Sequence, residues 1–224
     1  MTEKVVIFGN GQIAEVAQFY LTHDSPYEVV AFTVDGAYIK QAGFAGLPLV
    51  AFEEITNAYP PDVYKMFIPV SYRKLNRLRA EKYRQAKDKG YILISYVNSK
   101  AMTWPGLVVG DNCFIFENNV IQPFATIGNN VIIWSGNHIG HHSTIKDHCF
   151  IASHVVISGG VTIEPYCFLG VNSTIRDNVT ISTGCIIGAG ALITKTTKEK
   201  GVYSGVPAEA RPFDSDEFLK LKDI

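Results

Sequence analysis

Residues 127–145 read Ile127-Gly128-Asn129-Asn130-Val131-Ile132-Ile133-Trp134-Ser135-Gly136-Asn137-His138-Ile139-Gly140-His141-His142-Ser143-Thr144-Ile145, with an isoleucine at every sixth position. The beat runs far in both directions. Val109, Ile115, Ile121, Ile127, Ile133, Ile139, Ile145, Ile151, Ile157, Ile163, Leu169, Ile175, Ile181, Ile187 and Ile193 keep it without a break. Four residues after each comes a small, polar or β-branched partner, from Cys113, Asn119 and Ala125 through to Cys185 and Ala191. One large and one small inward residue per hexad suit a short strand followed by a tight corner. Three hexads then make a triangular coil, and stacked coils bury an aliphatic column on each face. At roughly 1.5–3 kcal/mol per buried aliphatic side chain the gross gain is large, so the pattern needs no function to explain it.

The same frame accounts for the cysteines. Cys113, Cys149, Cys167 and Cys185 are separated by multiples of eighteen, contain no CxxC pair, and all take the small inward slot. They read as core residues, not as redox or metal groups. The 224-residue chain has a formal net charge of −1, without the basic excess expected of a nucleic-acid protein. Met1-Thr2-Glu3-Lys4 leads straight into an apolar run with no signal-peptide pattern, and no stretch approaches the ~18 apolar residues of a membrane span. A cytoplasmic protein is expected.

Before residue 99 the texture is different. Val5–Phe8, Val29–Val34, Leu47–Phe52, Tyr64–Val70 and Tyr91–Tyr96 read as strands, while Gln12–Leu21 and Arg73–Lys89 carry helical spacing. Alternation of this kind predicts an α/β domain with parallel strands. Gly9-Asn10-Gly11 joins the first strand to the first helix, where glycines let a phosphate approach the backbone and its free N–H groups. Asp35 stands at the distance of a ribose-binding acid. Ser71 and Tyr72 follow the strand at Ile68, where an open sheet binds ligand. The eight basic residues of Arg73–Lys89 read as a solvated helix face.

Five of the six histidines, His138, His141, His142, His148 and His154, fall within seventeen residues, and none occupies an inward slot. Imidazole titrates near neutrality and serves as a general base. The unbroken hexads resemble the left-handed β-helix of the hexapeptide acyltransferases. Gly140-His141-His142-Ser143-Thr144-Ile145 resembles the catalytic turn of the branch that contains nucleotide-amino-sugar N-acetyltransferases and sialic acid O-acetyltransferases. The resemblance implies His141 as base, with His142 in the place of an acidic residue and Trp134 in that of an asparagine.

It also implies a Rossmann-like nucleotide-sugar domain over residues 1–98, a β-helix over 99–200 and a tail over 201–224. Gly9, Asn10, Gly11, Asp35, Ser71, Tyr72, Trp134 and His138 would bind the substrate. Acetyl-CoA would lie near Phe150, Gly170, Gly188, Lys195 and Arg211, and Gly205-Val206-Pro207-Ala208 resembles the family's closing turn. A homotrimer, direct acyl transfer and no metal are expected. The implied acceptor is a nucleotide-linked 4-amino-4,6-dideoxy sugar of bacterial surface glycans, such as lipopolysaccharide O-antigen. O-acetylation and a γ-carbonic-anhydrase-like zinc enzyme are the rivals, although the His-x4-His spacing of the latter is missing.

Overall fold

The computed structural model describes residues 2–206 and 209–222. The chain opens with β1 (Glu3–Phe8), α1 (Gln12–His23), β2 (Tyr27–Val34), β3 (Gly43–Phe44), β4 (Leu47–Ala51), α2 (Ile55–Ala58), β5 (Tyr64–Phe67) and α3 (Arg77–Asp88). The sheet order is β3-β4-β2-β1-β5, with β4, β2, β1 and β5 parallel. Val5, Val6 and Ile7 in the central strand are fully buried, as an apolar run flanked by helices requires. The expected strand over 91–96 does not join this sheet as a strand. It makes one bridge, from Leu93 to Met66, and β6 (Tyr96–Val97) pairs instead with Phe114–Ile115 of the next region.

From Val108–Val109 to Leu192–Ile193, fifteen two-residue strands follow at six-residue intervals. Strands eighteen residues apart pair in parallel, giving three sheets around a triangular prism. Face 1 begins with Val108–Val109, face 2 with β6 and Phe114–Ile115, and face 3 with Val120–Ile121. The aliphatic column and most of the small slots form one buried core. Asn137 and Ser143 in the small slot are satisfied internally, Asn137 Oδ1 accepting the Val155 N–H at 2.7 Å and Ser143 Oγ donating to Ser158 O at 2.9 Å, whereas the buried Ser173 hydroxyl finds no partner.

Every corner turns through a left-handed residue. From Asn112 to Gly190, fourteen positions six apart have φ between 53° and 77°. Asparagine and glycine fill nine of them, as expected for that conformation, while His142, His148, His154, Phe124 and Tyr166 fill the rest. This repeat assigns the histidines to separate edges. His148 lies on the edge between faces 1 and 2, His154 on that between faces 2 and 3, and His142 on that between faces 3 and 1.

The outer side of face 2 is covered. Phe114, Ile132 and Phe150 pack with Val5, Ile7, Ala17, Leu21 and Phe67, so the N-terminal domain shares a core with the prism. Higher up, Ile186 and Val202 pack with Leu75 and the C-terminal Phe213 and Phe218. The sheet of face 2 continues through Gly201–Ser204 and the antiparallel Glu209–Asp214, before a last helix, Ser215–Lys222.

The basic helix is not a uniformly solvated face. Lys74, Leu75 and Asn76 take left-handed conformations, which delays the start of α3 to Arg77. Arg79 is fully buried and Lys82 is 6% exposed. No helix among the described residues is long and apolar enough to cross a membrane.

Candidate active site

Two clefts gather the residues that carry chemistry. The first, about 390 Å³, opens at the carboxyl ends of β1 and β2 and is lined by Gly9, Asn10, Gly11, Asp35 and Ser71, five of the expected substrate residues. Gly9 has φ +131°, a conformation that disfavours a side chain, and a Cβ there would sit 3.1 Å from Ala14. Gly11 caps α1 without a side-chain partner, so the first turn presents backbone N–H groups to the cleft. Sequence reading missed Arg73, Tyr38 and Lys82, which also line it. Lys82 Nζ binds Asp35 Oδ1 at 2.6 Å and lies over the Phe8 and Phe52 rings. Tyr72 is not among the lining residues; its ring packs on Phe150 and Phe168, at centroid distances of 5.0 and 4.8 Å.

The second cleft, about 440 Å³, lies on the edge between faces 3 and 1 and is lined by His141, His142, Gly159, Gly160, Asp177 and Asn178. Gln122 Oε1 accepts the backbone N–H of His141 at 2.9 Å, and His141 O accepts that of Gly160 at 2.8 Å. The imidazole of His141 rests against Gly159, where a Cβ would lie 2.6 Å from its Cε1 and 2.7 Å from its Nε2. Its Nδ1 is 3.1 Å from Nδ1 of His142, so one ring donates and the other accepts. With the proton on Nδ1 of His141, its Nε2 is free to act as a base. The His142 ring leans on Phe124 at 4.7 Å. Asp177 Oδ1 accepts the N–H of Gly159 at 3.1 Å and places a carboxylate in the same cleft. Asp177 is two eighteen-residue coils beyond His141, so counting by coils would have found it.

The family model described as bacterial transferase hexapeptide (six repeats) matches residues 106–141, 125–159 and 160–195. Residues 106–195 are hexapeptide repeats. A search of curated protein sequences gives no match. Among solved structures, perosamine N-acetyltransferase from Caulobacter crescentus, a histidine-to-asparagine variant in complex with CoA and GDP-perosamine, is 24% identical with a TM-score of 0.85, covering 95% of this chain and 99% of that one. The acetyltransferase domain of PglB from Neisseria gonorrhoeae is 21% identical with a TM-score of 0.84, covering 93% and 100%. WeeI from Acinetobacter baumannii is 17% identical with a TM-score of 0.75, covering 94% and 100%. At these identities the likeness establishes a shared fold over nearly the whole of each chain.

On the hexapeptide prism several expected residues separate. His138 projects from face 3 between Val120 and Val156. Trp134 does not meet His141: it stacks on Phe116 at 4.5 Å, faces Ile13, Val16 and Phe19 of the first domain, and buries its indole N–H without a partner. Phe150 is 3% exposed inside the shared core, so no surface is left for a coenzyme. Gly170 lies where a Cβ would meet the Ala189 backbone nitrogen at 2.6 Å, so coil stacking alone demands it. Gly188 approaches Tyr203 O, and Arg211 donates to Ser204 Oγ at 2.8 Å, near the same edge between faces 2 and 3. Lys195 shares the edge of His141 three coils on, about 14 Å along the stack at ordinary strand spacing. Pro207 and Ala208 of the closing turn lie outside the described residues. Among those described, no three His, Cys, Asp or Glu side chains gather as metal ligands.

Proposed function

We propose that the protein transfers an acetyl group from acetyl-CoA to the amine of a nucleotide-linked 4-amino-4,6-dideoxy sugar, in bacterial surface-glycan synthesis such as that of O-antigen. The supporting observation is the pairing, in one chain, of a glycine-rich anion cleft with an accessible imidazole dyad. Perosamine N-acetyltransferase, with CoA and GDP-perosamine bound, has the same two-part fold. We read residues 1–98 as a Rossmann-like nucleotide-sugar domain, 99–200 as the left-handed acyltransferase prism and 201–224 as its tail.

Gly9, Asn10 and Gly11 bind the diphosphate, with Arg73 as the countercharge, and Asp35 binds the ribose. The amine nitrogen attacks the thioester carbonyl while Nε2 of His141 takes its proton. His142 accepts from Nδ1 of His141 and so supports the imidazolium, the task an acid performs elsewhere in the family. The backbone N–H groups of Gly159, Gly160 and Asn178 are all engaged, so the side-chain amide of Asn178 is assigned to the developing oxyanion. Collapse of the tetrahedral intermediate breaks the C–S bond, and the CoA sulfur leaves with the proton from His141. Lys195, which shares the edge of His141, is the cation assigned to the coenzyme phosphates. No cysteine is needed as an acyl carrier.

The architecture supports a homotrimer. The first domain packs on face 2, whereas His141 lies on the opposite edge. A nucleotide sugar held by one chain therefore reaches the base of a neighbouring chain. Acetyl-CoA and nucleotide sugars as reactants imply a cytoplasmic location.

The test follows thiol release from acetyl-CoA with UDP-, GDP- and dTDP-linked 4-amino-4,6-dideoxy sugars. Turnover with one of them, lost in His141→Asn, is expected. Release with sialic acid alone would move the assignment to O-acetylation. Silence with both acceptor classes, together with stoichiometric zinc, would overturn it.

A further inference from the structure

The edge between faces 1 and 2 carries a directed polar chain that acetyl transfer does not use. Asn112, Asn130 and His148 take the left-handed corner slot in three successive coils. Asn112 is 1% exposed and Asn130 fully buried. The chain starts at the backbone of Ile68, whose N–H donates to Asn112 Oδ1 at 2.8 Å, while Asn112 Nδ2 donates to Ile68 O at 3.1 Å. A backbone N–H can only donate, so the Asn112 amide has one allowed orientation. Its Nδ2 also donates to Asn130 Oδ1 at 2.8 Å, which turns Asn130 Nδ2 toward Nδ1 of His148, again at 2.8 Å. His148 must therefore accept at Nδ1 and carry its proton on Nε2. The ring sits beside Tyr83 of α3 and Tyr166 of the next coil. Burial pushes its pKa down to about 4, which keeps the acceptor lone pair available at neutral pH.

What this chain grips adjoins the first cleft. Ile68 follows β5, and the next three residues, Pro69, Val70 and Ser71, are a wall of that cleft. Arg79 fastens the same wall: its guanidinium donates to Val70 O at 3.0 Å and Ser71 O at 3.2 Å. It donates also to the carbonyls of Asn130, His148 and Cys149. The segment from Ile68 to Ser71 is thus tied to the prism along its length. A wall already ordered in the free protein has little entropy left to lose when a ligand binds against it.

We infer that Asn112, Asn130 and His148 are positioning residues for a nucleoside diphosphate, setting from the prism the wall against which the nucleotide binds. This rests on the nucleotide reading of the first cleft. The competing possibility is a ladder that merely strengthens the coils.

Three variants of the full chain separate the two. His148→Gly removes the terminal acceptor in a slot that suits glycine, and Asn112→Gly removes the grip on Ile68 directly. His148→Asn keeps an acceptor in place. Calorimetric titration with GDP, UDP and dTDP, alongside acetyl-CoA and a thermal melt, gives the readout. Both glycine variants should weaken the preferred nucleotide by about tenfold, the upper range for one hydrogen bond. His148→Asn should restore it, and acetyl-CoA affinity should stay constant throughout. Unchanged nucleotide affinity in the glycine variants would overturn the inference. So would equal losses for both ligands that track a lowered Tm. If the parent chain binds none of the three nucleotides, the reading of the cleft fails and the inference falls with it. Binding by the parent with insensitive variants removes the inference alone.

Discussion

Two edges of the prism carry a histidine in the same backbone slot, one hexad apart, and do different things with it. His142 and His148 have φ of 57° and 64° and follow the same repeat. On the edge between faces 1 and 2, helix α3 covers His148, and the ring ends a buried hydrogen-bond chain. On the edge between faces 3 and 1 no helix among the described residues covers His142, and it meets His141 in an open cleft. The hexad dictates the backbone of both. What packs against each edge decides whether its imidazole is a structural acceptor or a partner in proton transfer.

That contrast can be broken most severely at the open edge. His141→Ala should lower acetyl transfer by about a thousandfold, in the range of a lost general base, while nucleotide titration stays unchanged. A collapse of similar size in His148→Ala with normal turnover in His141→Ala would reverse the roles of the two edges. Gly159→Ala puts a methyl group into the space of the His141 ring, and kcat/KM should fall by about a hundredfold with little change in Tm. Normal turnover there would show that the ring works without its glycine floor. His142→Ala should cost about tenfold in kcat, less than the roughly 10²–10⁴-fold of a group that itself transfers the proton, because His142 acts only through His141. An undiminished kcat would remove His142 from the dyad.

The smallest effect belongs to the covered edge and is read in stability. His148 has a folded pKa of about 4 against an ordinary 6.5, set first by burial; Asp147 and Asp111 oppose the shift, while Arg79 and Arg84 reinforce it. Between those values the unfolded chain takes up a proton that the folded chain refuses. The contribution is therefore complete above about pH 6.5 and is lost as pH falls toward about 4. The rise in Tm from about pH 5 to about pH 7 should shrink in His148→Asn, and an unaltered rise would mean that His148 is not the group titrating.

The prism was legible because its inward residues obey one short period, and β1, β2, β4 and β5 were legible as apolar runs between turns. The five histidines, close in sequence, do not form one cluster in the prism. Residues close in sequence go to different edges of an eighteen-residue coil, whereas residues one coil apart become neighbours. His141, Gly159, Asp177 and Lys195 share an edge for that reason, and only His142 of the other four histidines stands beside His141. The same arithmetic marks Tyr96, Phe114, Ile132, Phe150, Phe168 and Ile186 as an outward apolar column, the surface on which the first domain sits. A composition count of α3 could not separate Arg79 from its solvated neighbours, because its burial depends on carbonyls from the prism. Trp134 was assigned by resemblance, and the resemblance carried no information on what would lie across from face 2.

The four cysteines give the stack a built-in clock. Cys113, Cys149, Cys167 and Cys185 are all fully buried, and burial holds the Cys113 thiol up at about 12. Each therefore reacts with an alkylating agent only when its own coil has opened. A stack whose coils touch only their neighbours unravels progressively, not everywhere at once. The order in which the four sulfurs become labelled records the direction of that unravelling, and shows whether the end buttressed by the first domain outlasts the end closed by the tail.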